Sequence, residues 1–123
     1  MALPDLSGML PLRRESYDAL MERQSDGSSL FPKVYEIFCS EMPRLLGELG
    51  VNLEKKDSEE AYEVLHQIKG SSAAMGAGRL WELAQFALDM CSDGSVLEER
   101  FLLQEIEMEI GLYHGAIRAI REY

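Results

Sequence analysis

Apolar residues recur along this chain at three- and four-residue steps, the period of helices that bury one face. Leu30, Val34, Ile37, Phe38, Met42, Leu45, Leu46 and Leu49 keep that spacing and predict a helix from about Leu30 to Leu49. Pro43 falls inside it. A proline removes a backbone donor and crowds the carbonyl four residues back, so a kink is expected there. Ala61, Leu65, Ile68 and Ser72 form a second stripe, with Val64 and Met75 beside it, behind the capping pair Asp57 and Glu60. Leu80, Leu83, Ala84, Ala87 and Cys91 form a third, from about Arg79 to Cys91. Leu103, Ile106, Ile110, Tyr113, Ile117 and Ile120 form a fourth, introduced by a second capping pair, Ser95 and Glu98. A shorter helix from about Pro11 to Arg23 carries Tyr17, Leu20 and Met21.

Polar and glycine-bearing breaks separate these segments at residues 25–29, 50–57, 76–78 and 92–95. No stretch alternates apolar and polar with β-branched enrichment, so no strands are expected. Short connections between long amphipathic helices favour up-and-down packing. The expected fold is all-α: an antiparallel up-and-down four-helix bundle over residues 29–123, with an additional N-terminal helix in an extension over residues 1–28.

With 123 residues, 46% of them hydrophobic, the chain is one domain able to bury a core without metal or disulfide. No window approaches the roughly eighteen consecutive apolar residues of a membrane span. The start, Met1 to Leu6, lacks the basic-then-apolar order of a secretory signal. Cys39 and Cys91 have no metal spacing and read as buried thiols in a reducing compartment, which places the protein in the cytoplasm. The net charge of −10 excludes nucleic acid as a partner, because phosphate backbones need clustered Lys and Arg. No phosphate-binding lysine loop, dinucleotide fingerprint, zinc spacing or Ca²⁺ loop is present, so no cofactor or metal is expected.

The chemistry concentrates at residues 66–77, His-Gln-Ile-Lys-Gly-Ser-Ser-Ala-Ala-Met-Gly-Ala. At ~100° per residue His66 falls off the core stripe, with Tyr62, Glu63, Lys69 and Gly70 as its helix neighbours. A neutral imidazole on an exposed face is a usable nucleophile near neutral pH. Lys69, one turn on, can offset the charge of a transferring anionic group. Gly70 has no side chain to obstruct a partner, and mid-helix glycine costs about 1 kcal/mol relative to alanine, so local stability does not explain it. Ser71 or Ser72 could donate a hydrogen bond, although Ser72 lies on the core stripe, and Ala73 with Gly70 leaves the approach clear. Trp81 and Phe86 fall off the inward stripe of their helix, either packing on the N-terminal helix or edging a docking surface. Nothing diagnostic surrounds His114, which reads as structural.

His66-x-x-Lys69-Gly70-Ser71-Ser72, followed by Gly76-Ala77 and Arg79-Leu80, resembles the signature of histidine-containing phosphotransfer (HPt) domains of two-component phosphorelays. The resemblance extends over Phe38, Pro43 to Leu46, Leu49, Asp57 and Ala61. It implies a four-helix bundle that accepts a phosphoryl group on His66 from a receiver-domain aspartate and passes it to another receiver. The protein would then be a monomeric phosphocarrier with no ATP or hydrolytic site of its own. Its partners would be response regulators or the receiver of a hybrid sensor kinase. Lys69 would stabilise the phosphate, and Tyr62, Glu63, Gln67, Gly70, Ser71 and Ala73 would meet the partner. Gly76 would form the tight turn. The family often carries Gln or Glu 22 residues past the histidine to orient the imidazole. Leu88 stands there, leaving Gln85 and Asp89 as candidates for that task. The alternative reading is a non-catalytic helical adaptor that binds a receiver or other regulatory protein without carrying phosphate.

Overall fold

The computed structural model describes residues 3–98 and 101–121. In chain order it contains α1 (Arg14–Glu22), a small hairpin of β1 (Gln24–Ser25) and β2 (Ser28–Ser29), α2 (Leu30–Glu54), α3 (Ser58–Met75), α4 (Gly78–Cys91) and α5 (Leu102–Arg121). Helices α2 to α5 pack as sequential neighbours, and α5 closes back on α2, so the four surround one core. Phe31, Met42, Leu45 and Leu49 of α2 meet Leu65 and Ile68 of α3, Leu80 and Leu83 of α4, and Leu102, Ile106, Tyr113 and Ile117 of α5 in that core. The stripe expected on α3 is the buried one: Ala61, Val64, Leu65, Ile68, Ser72 and Met75. This fold is the helical bundle that the periodicity predicts.

Several boundaries differ from the expectation, each for a local reason. Helix α2 continues to Glu54 instead of breaking at Gly50. Gly50 is helical, and a Cβ there would make an ordinary contact, 3.4 Å from Leu103 Cδ1 of α5. The helix ends where Lys56 takes a left-handed φ of 58° and the amides of Lys56 and Asp57 return to Leu53 O and Asn52 O. Ile37 is exposed, against the expectation of a core place, and Phe31 is fully buried. Pro43 lies on the exposed side of α2, which runs on through it.

At the N-terminus α1 starts at Arg14, not Pro11, because the Arg13 amide donates to Gly76 O (2.7 Å) and Arg13 stays extended. Ahead of it, Leu6 and Leu12 are buried. The break at residues 25–29 is not a plain loop. Asp26 and Gly27, at φ 55° and 79°, make the tight turn of a two-residue hairpin, with Ser25 paired to Ser28. The pair Ser95 and Glu98 does not cap α5. Residues Ser95–Glu98 form a 3-10 helix instead, and the Ser95 hydroxyl donates to Met90 O. The Glu98 side chain lies outside the described residues. Cys39 is exposed and Cys91 half-buried, against the expectation of two buried thiols. Both are free, and burial raises the Cys91 thiol pKa.

The α3–α4 reversal is the tightest point of the bundle. Gly76 has φ 69° and ψ 24°, and its amide bonds back to α3. An added Cβ would sit 2.5 Å from Ser16 Cβ and 3.2 Å from Arg13 O. Gly76→Ala is therefore expected to lower stability by about 1–3 kcal/mol, through the left-handed backbone and displacement of α1. Gly111, helical with nothing within 4 Å of a Cβ, is the control. Gly111→Ala should raise stability by about 0.5–1 kcal/mol. Urea unfolding of the two variants checks the contrast.

Candidate functional site

Helix α3 is held along its length, and that fixes which side chains it offers to solvent. Asp57 Oδ1 accepts from the Glu60 amide (3.1 Å) and caps the first turn, with Glu59 and Glu60 favourably placed at the positive end of the helix. Buried Ser72 donates to Ile68 O (2.6 Å), so its hydroxyl is committed within the helix. At the far end Tyr113 of α5 donates to Met75 O (2.7 Å). Burial raises the Tyr113 phenol pKa and keeps it a donor. With the Ala61–Met75 stripe facing inward, Tyr62, Glu63, His66, Gln67, Gly70 and Ala73 are exposed, and Lys69 and Ser71 are half-buried.

His66 therefore stands near the middle of an 18-residue helix with its ring in solvent. The Tyr62 ring, one turn back, lies nearly parallel at 6.2 Å between centroids. A Cβ on Gly70 would meet nothing within 4 Å, so the surface beyond His66 is open. Two depressions flank this face. One, of about 340 Å³, lies between the start of α3 and the end of α4, among Tyr62, Glu63, Leu88 and Cys91. The other, of about 320 Å³, lies by the α3–α4 turn, among Ala73, Gly76, Trp81, Met9 and Arg13. The N-terminal segment thus supplies one wall of the surface next to Ala73, a contribution that no local sequence pattern signals.

Among the described residues neither Gln85 nor Asp89 bonds to the imidazole. They are four apart on α4 and bond to each other, Gln85 Nε2 donating to Asp89 Oδ1 at 2.9 Å. Leu88 between them is buried and can make no polar contact. Among the described residues His66 has no side-chain hydrogen bond.

Lys69 reaches across to α4, with Nζ 5.3 Å from the centre of the Trp81 ring. Trp81 thereby lies beside the candidate site. Arg79 was visible only as part of the motif. Its guanidinium forms a two-pronged pair with Glu109, at 2.8 and 2.9 Å, and also donates to Met9 O. Glu109 lies on the buried face of α5, 1% exposed, where the spacing predicts only apolar residues. Among the described residues no group of three or more His, Cys, Asp or Glu side chains could hold a metal ion.

The Hpt domain family matches residues 33–119 of this sequence. The chain belongs to the Hpt family. Histidine-containing phosphotransfer protein 2 of Oryza sativa subsp. japonica is 30% identical to it over 93 residues, which cover 68% of this chain and 61% of that protein. The chain thus spans less than two thirds of the length of the curated relative it matches. No solved structure matches it. Within the Hpt region the second histidine is built differently from the first. His114 of α5 is half-buried, with Nδ1 2.6 Å from the Tyr35 hydroxyl. Burial first, then the charge on Arg118, lowers its pKa. Burial pushes the Tyr35 phenol up to about 12, so the hydroxyl stays protonated beside His114.

The sign of the resulting pH dependence follows. A histidine whose folded pKa lies below its unfolded value favours folding while neutral. That contribution is present above about pH 6.5 and is lost as pH falls through the lowered folded value. His114→Gln should therefore show a smaller loss of melting temperature than the unaltered Hpt domain between about pH 7.5 and about pH 5.5. Calorimetry at the two pH values measures the difference, and equal losses would show that His114 does not titrate in this way. Among the described residues no helix is long and apolar enough to cross a membrane.

Proposed function

We propose that this Hpt domain is a phosphorelay carrier in which His66 takes a phosphoryl group from the aspartate of one receiver domain and yields it to another. The observation that carries the reading is His66 in solvent at mid-helix, next to a glycine whose surroundings are empty. The neutral imidazole nitrogen attacks phosphorus while the bond to the donor carboxylate oxygen breaks. A P–N bond forms, the carboxylate leaves, and the ring gives up a proton. Transfer to the next receiver reverses these steps. The P–N bond stores enough free energy to be passed on, so the carrier needs no ATP site of its own.

Lys69 stabilises charge on the transferring group. Tyr62, Glu63, Gln67, Gly70, Ser71 and Ala73 form the surface that a receiver covers, between the two flanking depressions. Any Mg²⁺ in the reaction is brought by the partner. A reducing, cytoplasmic setting suits two free cysteines. The test mixes a phosphorylated receiver domain with the protein and with His66→Gln. Label should appear on the first alone, and equal labelling of both would remove the proposal.

Gly70 separates docking from chemistry. Gly70→Ala is expected to raise stability by about 0.5–1 kcal/mol and to leave transfer intact, since its Cβ enters empty space. Gly70→Leu should slow transfer from a receiver by about ten-fold or more, a 1.4 kcal/mol effect of a bulky group at an approach point. Labelling of Gly70→Leu by the small donor phosphoramidate should continue. Parallel losses with both donors would show that Gly70 acts on the chemistry rather than on access.

A further inference from the structure

We propose that Trp81 is a positioning residue: its indole face holds the Lys69 ammonium beside His66 in the resting protein and releases it to the phosphoryl group on transfer. The inference rests on the reading of His66 as phosphoacceptor. Lys69 lies one helical turn after His66 on α3, and its Nζ is 5.3 Å from the Trp81 ring centre. The chain has 22 acidic side chains against 12 Lys and Arg, so an exposed ammonium has many carboxylates to choose from. Yet the Lys69 ammonium, among the described residues, rests on a ring and not on an acid.

That choice matters chemically. A carboxylate would hold the ammonium tightly and cancel its charge before the phosphoryl group arrives. A π face holds a cation by its quadrupole alone and leaves the charge in place. A phosphoryl oxygen, carrying formal charge and accepting hydrogen bonds, competes well against it. The backbone that carries Trp81 is fixed. Neighbouring Leu80 and Leu83 are in the core, the Trp81 amide bonds to Ala77 O, and the Trp81 ring lines the depression beside Ala73. The ring therefore limits where a long, flexible side chain can go, which reduces the entropy lost when Lys69 engages the phosphoryl group.

Trp81 is the single tryptophan of the chain, so the protein carries its own reporter. The experiment uses phosphoramidate as donor: its P–N bond breaks, a P–N bond to His66 forms, and the imidazole proton leaves with the amine as ammonia. Acid-labile phosphate and tryptophan emission are followed together. Phosphorylation should change the Trp81 emission of the unaltered protein, and dephosphorylation should restore it. Lys69→Met should show no such change at whatever level of phosphate it reaches. Trp81→Leu should be phosphorylated about two- to five-fold more slowly, because an unrestrained Lys69 side chain loses more rotamer freedom on engaging the phosphoryl group, and Trp81→Phe should keep most of the rate. A structural role alone would not give an emission change that depends on Lys69. Phosphorylated protein with unaltered emission overturns the inference and leaves the proposed function standing. No acid-labile phosphate on the unaltered protein removes both. If Trp81→Leu does not fold, Trp81→Phe and the emission of the unaltered protein still decide.

Discussion

His66→Gln is expected to abolish phosphate uptake altogether, with loss below detection rather than a partial slowing. Glutamine has similar reach and polarity, but its amide nitrogen has no lone pair available for attack on phosphorus. Neither the nearby buried serine nor the second histidine replaces it. The Ser72 hydroxyl is bound to Ile68 O, and His114 lies on α5 against Tyr35. The structural cost is small, because His66 is exposed and its close neighbour is the Tyr62 ring. Surface substitutions of this kind stay within about 0.5 kcal/mol. The variant should therefore fold, and should still bind a receiver through the flanking surface. Phosphate transferred to the unaltered protein should be lost in acid and kept in alkali, the behaviour of a phosphoramidate. A variant that still gains acid-labile phosphate would move the acceptor elsewhere. A variant that has lost receiver binding as well would make His66 a docking residue.

Arg79→Ala is expected to be the most destabilising single change outside the apolar core, at about 3–5 kcal/mol. Both carboxylate oxygens of Glu109 are engaged by one guanidinium, and the carboxylate is 1% exposed. Removing Arg79 leaves that charge buried with no counterpart. The reverse change, Glu109→Ala, should cost less, because the Arg79 side chain is 18% exposed and can turn towards water. Against a total stability of about 5–15 kcal/mol for a domain of this size, the first change consumes a large share. A double change, Arg79→Met with Glu109→Met, should recover much of the loss, since apolar groups of similar volume often replace a buried pair without penalty. Urea unfolding of the two single variants and the double one forms a cycle. If Arg79→Ala lost less than Glu109→Ala, the burial of the carboxylate would not be the source of the cost. Arg79 also donates to Met9 O, so its removal should loosen the segment that walls the depression next to Ala73.

Much of this was legible in the chain itself. Helical periodicity identifies the inward stripe of α3 residue by residue, and from it the exposure of His66, because a helix of fixed pitch has no other way to arrange those side chains. The capping pair at Asp57 and Glu60 and the glycine at the reversal are equally local, since a cap or a left-handed turn depends on a few neighbouring residues. The same locality misleads at Gly50 and at Ser95-Glu98. There a glycine read as a break packs against Leu103, and a capping pattern ends in a 3-10 turn.

Contacts between helices follow a different logic. Which acid meets Arg79, which ring receives Lys69 and which residues cover Gly76 depend on the rotation and stagger of helices many residues apart. Periodicity gives each helix a face but no partner on the facing helix. The sequence by itself determined a four-helix bundle with one imidazole turned outward on α3. Only tertiary structure decided that Glu109 is buried, that Gln85 and Asp89 bond to each other, that the Lys69 ammonium lies over the Trp81 ring and that the N-terminal segment walls the depression next to Ala73. Those facts are set by packing between elements, where free energy depends on distance in space and not on distance along the chain.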